Sequence, residues 1–204
     1  MSLRSALLAL LRIGPMSGYE LAKQFSQSVG HVWHAPDSQI YPELRKMATE
    51  GLVVAEEQTR GTAGRRRVYH ATEAGERAFL DWMNSPLKYQ RTRDAAHLRA
   101  AYLESADQEA ICDFLRGHIE HWQGELKVWE DEIATIEALE SPMLNRRLAV
   151  TAEEDREVTI EYKKFAYEGL AARARSEIDW AQRGLKLSRR LERTAETASS
   201  RHTD

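Results

Sequence analysis

The sequence of 204 residues contains a single cysteine, Cys112, and no long run of apolar residues. One cysteine cannot form an internal disulfide, and it cannot supply a thiolate-rich zinc site. The apolar stretch Leu7–Leu11 is short, is followed by Arg12 and precedes no small-residue cleavage site, so it is not interpreted as a signal peptide. No stretch approaches the length of a membrane-spanning helix. We therefore expect a cytoplasmic protein in a reducing compartment.

The sequence also lacks the common catalytic motifs. It has no Gly-x-Ser-x-Gly, no phosphate-binding loop and no dinucleotide fingerprint. His118 and His121 lie three residues apart on a predicted helix with Glu125 nearby, which is a spacing that can bind a metal. Histidine pairs on charged helices are usually solvated, and the same applies to loop histidines such as His31 and His34. We predict no enzyme activity, no catalytic residues, no cofactor and no metal.

The net charge of −3 does not favour nucleic-acid binding, but the charge is unevenly distributed. Residues 1–85 carry ten Lys and Arg against nine Asp and Glu, whereas the remainder carries nineteen against twenty-three. DNA binding depends on the local charge of one face more than on the total. The composition, 42% hydrophobic and 30% charged, is that of a globular protein.

The first 86 residues predict a compact helical domain. Leucines at helical spacing indicate a first helix over residues 3–11, which Gly14 and Pro15 end. Ser17 and Glu20 form a capping box that opens a second helix, with Gly30 as its stop. A third helix follows, capped by Asp37 or Ser38, with Pro42 in about its first turn and Gly51 as its stop.

A β-hairpin follows the three helices. The predicted strands are Leu52–Thr59 and Arg67–Ala71, separated by a turn that contains two glycines and three arginines. A fourth helix begins after Thr72 and is expected to bury Phe79, Trp82 and Met83. We interpret residues 1–86 as a winged helix-turn-helix domain.

The rest of the chain is poor in glycine and proline and predicts long helices. A short helix over 94–102 precedes a long one that Ser105 and Gln108 open as a capping box and that stops at Ser141-Pro142. A second long helix is opened by Thr151 and Glu154 and ends near Leu191. We assign residues 87–193 to a helical dimerisation domain and residues 194–204 to a disordered tail, which makes the fold mainly α.

The first long helix carries an uninterrupted heptad pattern. Apolar side chains alternate in steps of four and three, which is typical of a helix buried against a partner helix. Two such helices in one chain favour an antiparallel hairpin, and a second copy of the chain would complete its core. The predicted dimer interface comprises Leu115, Ile119, Trp122, Leu126, Trp129 and Ile133. Simple burial within one chain is an equally open interpretation, and Trp122 and Trp129 are also candidates for binding a flat apolar effector.

The third helix is the candidate recognition helix, because the second helix of a helix-turn-helix enters the DNA major groove. Arg pairs with guanine, Gln with adenine, and Ser or Tyr with phosphate. An arginine-bearing hairpin tip suits a phosphate backbone. The predicted DNA contacts are Ser38, Gln39, Tyr41, Arg45, Lys46, Arg65 and Arg66.

Four motifs in the first 85 residues resemble the PadR-like transcription regulators. They are Ser17-Gly18-Tyr19-Glu20-Leu21, Ile40-Tyr41-Pro42-x-Leu44, Glu50-Gly51-Leu52 and Arg66-Arg67-x-Tyr69-x-x-Thr72-x-x-Gly75. The C-terminal part resembles the family in length and helicity only. Residues 29–36 are more aromatic than this turn usually is in the family.

The resemblance implies a winged helix-turn-helix homodimer that binds an inverted-repeat operator. It also implies a response to a small apolar or phenolic effector, and it extends to a branch of virulence activators. The alternative interpretation is a winged-helix module that binds a protein, or a co-regulator without direct operator recognition. Salt-dependent retention on duplex DNA separates the two interpretations.

Overall fold

The computed structural model describes residues 3–26, 35–59, 65–89 and 93–200, and the side chains of 59, 65 and 195–200 are outside that description. The chain divides into two compact units, Met1–Tyr89 and Gln90–Asp204. No helix among the described residues has the length and apolar character that crossing a bilayer requires. The fold is mainly helical with one small antiparallel sheet, as predicted.

The described residues of the first unit form four α-helices and three strands. Its elements in chain order are α1 (Leu3–Leu11), β1 (Met16–Ser17), α2 (Gly18–Gln24), α3 (Asp37–Thr49), β2 (Val53–Thr59), β3 (Arg65–Ala71) and α4 (Glu73–Asn84). The strand order is β1-β3-β2, and both pairings are antiparallel. The predicted hairpin is therefore confirmed, while the two-residue strand β1 at its edge was not predicted from the sequence.

Local sequence explains how α2 begins and how α3 ends. The capping box is confirmed: the Ser17 hydroxyl accepts from the Glu20 amide, and the Glu20 carboxylate accepts from the Ser17 amide at 2.8 Å. Gly51 ends α3 with a φ of +74°, which favours glycine. The predicted stop at Gly30 lies outside the described residues.

Two predictions about α3 are wrong. Its N-cap is Pro36, and no side chain caps it, so neither Asp37 nor Ser38 has that role. Pro42 lies inside the helix rather than in its first turn, because the helix already begins at Asp37. At that depth proline leaves the carbonyl of Ser38 without its helical partner.

The base of the hairpin is joined to α4 by Thr72 and Gly75. The Thr72 hydroxyl accepts from the Gly75 amide at 3.1 Å and donates to the Gly51 carbonyl at 2.7 Å. A Cβ on Gly75 would lie 2.1 Å from the Leu52 carbonyl oxygen, so only glycine fits. Helix α4 buries Phe79 and half-buries Trp82, but Met83 is 58% exposed, and its predicted burial is wrong.

The second unit consists of two long helices and shorter elements. It contains α5 (Ala95–Ala100), a 3₁₀ turn (Leu103–Ser105), α6 (Gln108–Glu137), α7 (Pro142–Ala149), a 3₁₀ turn (Glu153–Asp155) and α8 (Arg156–Ser200). Helix α7 was not predicted. Ser141 caps it and Pro142 occupies its first turn, where a proline costs no hydrogen bond. Helix α8 passes the predicted end at Leu191 and includes residues that were assigned to the tail.

Helices α6 and α8 form the predicted antiparallel hairpin. Gln108 near the start of α6 bonds to Ser188 near the end of α8, and Glu137 at the end of α6 faces Lys164 near the start of α8. Tyr167 of α8 is buried in this hairpin, and the Lys163 ammonium lies 5.2 Å from the centre of its ring. Burial raises the pKa of Tyr167 to about 12.

The two capping boxes predicted for the long helices are wrong. Helix α6 begins after Asp107, and the Gln108 side-chain amide instead bonds to Ser188 and Glu192 across the hairpin. The Thr151 hydroxyl donates to the Arg147 carbonyl at 2.8 Å, closing α7 rather than opening α8. Gln108 thus finds its partners in a distant part of the chain, whereas Thr151 bonds to the preceding helix instead of the following one.

We predict that Gly75→Ala destabilises the first unit by about 1–3 kcal/mol, because the new Cβ collides with backbone that cannot move aside without breaking the Thr72 link. Urea unfolding of the full chain measures it. Gly117→Ala is the matched control. Gly117 lies on α6, and a Cβ added there would meet nothing within 4 Å, so alanine stabilises by about 0.5–1 kcal/mol. Equal effects of the two substitutions would contradict the role given to Gly75.

Candidate DNA interface

Helix α3 divides into a buried face and an exposed polar face. Ile40, Leu44 and Met47 are almost completely buried in the first unit. Their burial leaves the opposite side of the helix in solvent. The exposed residues on that side are Asp37, Ser38, Gln39, Tyr41, Pro42, Arg45, Lys46 and Thr49. All five DNA contacts predicted on this helix are therefore at the surface.

Arg4 of α1 neutralises two carboxylates that α3 and its C-terminal end carry. Its Nε donates to Glu43 Oε1 at 2.9 Å, and its Nη1 pairs with Glu50. The side chains of Arg4 and Glu43 are about three-quarters buried, and these carboxylates raise the pKa of Arg4 above its ordinary value. Arg45 and Lys46 are then exposed cations on a helix whose glutamates are paired elsewhere.

The Tyr41 ring is held against the start of α2. A Cβ on Gly18 would lie 2.8 Å from Tyr41 Cε1 and 3.7 Å from Tyr69 Cε2. Gly18 thus allows the Tyr41 ring of α3 to pack closely on the start of α2. This contact explains why glycine follows the capping serine in the motif Ser17-Gly18-Tyr19-Glu20.

The hairpin carries arginines on both faces of β3. Arg66 donates to Gln58 on the paired strand at 3.3 Å and lies 3.7 Å from Glu20 Oε1 on α2. Arg66 and Arg67 are consecutive in the strand, so their side chains project to opposite faces. They cannot both contact DNA in the same way. The Arg65 side chain and residues 60–64 lie outside the description.

The heptad residues of α6, which were predicted as the dimer interface, pack against α8 of the same chain. Leu115 and Trp129 are buried, whereas Ile119, Trp122, Leu126 and Ile133 are partly buried. Trp129 belongs to one apolar cluster with Ile136, Leu144, Tyr167, Ala171 and Ala174, and Trp122, Leu126 and Ile133 pack against it. The six residues thus supply core within one chain, and their role in a dimer stays a prediction.

The candidate effector and metal residues have other neighbours in the structure. The rings of Trp122 and Trp129 are 6.3 Å apart, and their indole nitrogens are buried with no partner among the described residues. His118 pairs with Glu177 of α8 at 3.2 Å rather than with Glu125. Within the described ranges no group of three His, Cys, Asp or Glu side chains could hold a metal ion.

Sequence reasoning missed two positions that shape this interface. Arg4 lies 39 residues from Glu43, and nothing local connects them. Gly18 carries no side chain, so its contact with Tyr41 is visible only in three dimensions. The one available signal was the occurrence of Gly18 inside the family-like motif.

This region is similar to known proteins. The sequence model of the Transcriptional regulator PadR-like family matches residues 7–81. The Negative transcriptional regulator PadR of Bacillus subtilis is 29% identical over 143 residues, which cover 69% of this chain and 78% of that protein.

The solved structures that are similar include regulators from two bacteria. Bacillus subtilis PadR in complex with operator DNA gives a TM-score of 0.73 at 23% identity, over 91% of this chain and 97% of that one. The virulence activator AphA of Vibrio cholerae gives a TM-score of 0.68 at 23% identity, over 93% of this chain and 99% of that one. Bacillus subtilis PadR in complex with p-coumaric acid gives a TM-score of 0.68 at 23% identity, over 91% of this chain and 94% of that one. These likenesses show the winged-helix fold.

We predict that Arg4→Gln weakens binding to duplex DNA about fivefold, because Glu43 and Glu50 then carry uncompensated charge on the recognition helix. Fluorescence anisotropy with a labelled duplex measures the affinity. Arg12→Gln is the matched control, because Arg12 comes directly after α1 in the chain but pairs with Glu76 of α4 at 2.8 Å. Equal loss in both variants would show that Arg4 acts only through stability.

Proposed function

We propose that the chain is a transcriptional regulator of the PadR type, whose family domain matches residues 7–81, and that it binds operator DNA directly and as a homodimer. The operator is an inverted repeat, since a two-fold symmetric dimer presents two identical recognition helices. The chain acts by binding and not by catalysis.

One observation carries the DNA assignment: α3 exposes hydrogen-bonding and basic side chains while its glutamates are tied to Arg4. Gln39 and Arg45 have the side-chain chemistry that reads adenine and guanine edges, and Ser38, Tyr41 and Lys46 suit phosphates. Asp37 at the N-terminus of α3 repels a phosphate there. The contacts of this helix are therefore made by its side chains rather than by its first amides.

The wing supplies sequence-independent affinity. Arg66 and Arg67 are exposed on β3, and Arg65 precedes them in the same strand. Cations that contact phosphates strengthen binding to every duplex and make it depend on salt. In the free protein Arg66 contacts Glu20, so DNA competes with that carboxylate for the guanidinium.

A second face of α8 supports the homodimer. Val158, Tyr162 and Phe165 are 52%, 72% and 69% exposed and follow heptad spacing. Gly169 and Ala172 continue the same stripe with small side chains. Side chains of this size and spacing are typical of a helix that packs on another helix. We assign this stripe, Val158–Tyr162–Phe165–Gly169–Ala172, to the contact with a second copy.

We also propose that the regulator responds to a small molecule, since Bacillus subtilis PadR has been solved with p-coumaric acid. Trp122 and Trp129 stay predicted effector contacts. Their two unpaired indole N–H groups are donors that a ligand oxygen could satisfy.

The competing function is that of a protein-interaction module. No observation on the described surface favours it over DNA, and the two differ in salt dependence. A DNA-binding domain loses affinity for any duplex steeply as salt rises.

We predict that Arg45→Ala costs about 1–3 kcal/mol on the preferred operator and much less on random DNA, because a base contact is lost. Arg65→Ala with Arg66→Ala should instead weaken all duplexes and flatten the salt slope by about one to two units. Anisotropy titrations on both duplexes at several salt concentrations measure both effects. Arg77→Ala, an exposed arginine on α4, is the control. Equal losses on operator and random DNA would make Arg45 a phosphate anchor.

We predict that Phe165→Asp lowers the dimer fraction without unfolding the hairpin, because Phe165 is exposed in one chain. Leu126→Asp places a charge in the packed interior of the hairpin instead. It should therefore lower both the stability of the chain and the dimer fraction. Sedimentation and circular dichroism separate these effects. Val150→Asp, at an exposed apolar residue away from the stripe, is the control. A fully dimeric Phe165→Asp protein would remove the α8 stripe from the interface.

A further inference from the structure

An open groove of about 660 Å³ lies in the second unit, away from the Trp122–Trp129 pair. It is bounded by α8, by the start of α6 and by the segment from α5 to the following 3₁₀ turn. Its volume falls in the range of sites that bind small molecules.

The floor of the groove is apolar and fixed. Leu115 is buried, Leu103 is half-buried, and Trp180 lies beside them. The Trp180 ring stacks on His97 with the ring centres 4.3 Å apart, and His118 contacts it edge-on at 5.2 Å. The indole is thus held on two sides before any ligand arrives.

Gly184 allows Leu115 to pack closely against α8 in this floor. A Cβ at this position would lie 3.0 Å from Leu115 Cδ2. The absence of a side chain at Gly184 thus lets Leu115 lie directly against α8, and Leu187, 46% exposed, forms an apolar edge.

The rim is basic. Arg183, Lys186, Arg190 and Arg193 line the groove from α8, and no carboxylate is among the lining residues in the part of the chain that the structure describes. Arg183 is paired with Asp179 at 3.2 Å, and Arg193 has an intramolecular partner. Lys186 and Arg190 form no ion pair with any side chain that the structure describes. Two cations therefore face solvent beside a fixed apolar floor.

From this juxtaposition we propose that the groove binds an amphipathic anion, a small molecule with a carboxylate or similar head and an apolar body. The head pairs with Arg190 and Lys186, and the body lies on Trp180, Leu187 and Leu103. The proposal deepens the small-molecule response that the proposed function includes, and it rests on that function only for the consequence of binding. The ligand class follows from the groove itself, because a neutral apolar molecule leaves the cations unused and a cation is repelled.

Displacement of 8-anilinonaphthalene-1-sulfonate from the full-length protein tests the proposal. Decanoate should displace the dye at lower concentration than decan-1-ol, and decyltrimethylammonium should fail to displace it. Arg190→Gln should weaken the binding of decanoate about two- to fivefold, which is the usual contribution of one exposed cation, and leave the binding of decan-1-ol unchanged. Leu187→Gln should weaken the binding of both ligands.

Arg189→Gln is the matched control, because Arg189 precedes Arg190 on α8 and is not among the lining residues. Equal displacement by decanoate and decan-1-ol, or equal losses in Arg189→Gln and Arg190→Gln, would overturn the proposal. A lower dimer fraction of Arg190→Gln and Leu187→Gln in sedimentation, without dye binding in the wild type, would show instead that a second copy covers the groove. DNA affinity is measured separately, so failure of the ligand site and failure of operator binding remain distinguishable.

Discussion

Burial of Ile40, Leu44 and Met47 is the constraint on which the rest of the DNA-binding unit depends. Each of these side chains stabilises the fold by roughly 1.5–3 kcal/mol on leaving water, so together they fix the rotation of α3 about its axis. That rotation decides that Gln39 and Arg45 face outward. The pairing of Arg4 with Glu43 and Glu50 then sets the sign of the charge on the exposed side. Packing therefore positions the candidate reading face, and one largely buried arginine tunes its electrostatics.

In the second unit, packing likewise decides which side chains are exposed, but here α8 has two apolar faces. The regular heptad of α6 is used inside the chain, where Trp129 and Ile136 pack on Tyr167 and Ala171 of α8. Helix α8 thereby packs one face into the hairpin and leaves Tyr162 and Phe165 in water. An exposed apolar stripe on a 45-residue helix is what a second copy can cover. The hairpin thus exposes one apolar stripe and, nearer the end of α8, a basic groove.

Much of this architecture could be predicted because it depends on residues that are close together in the sequence. The capping box at Ser17 and the stop at Gly51 depend on residues a few positions apart, and the apolar period of α6 depends on a single helix. One error arose where a distant partner competes with a local motif, because Gln108 bonds to Ser188 instead of closing a box with Ser105. For the same reason the sequence identified the exposed residues of α3 but not Arg4, whose role requires a contact across 39 positions. Heptad spacing shows that a helix is buried, but it does not show whether the covering helix belongs to the same chain.

A footprint of the purified protein on the DNA upstream of its own gene tests the central claim most directly. The account predicts two protected half-sites related as an inverted repeat, with centres about one helical turn or a multiple of it apart. Protection should persist against excess random DNA and disappear as salt rises. A single protected half-site would contradict the homodimer. Protection that random DNA removes, or none at any salt concentration, would contradict operator recognition by α3.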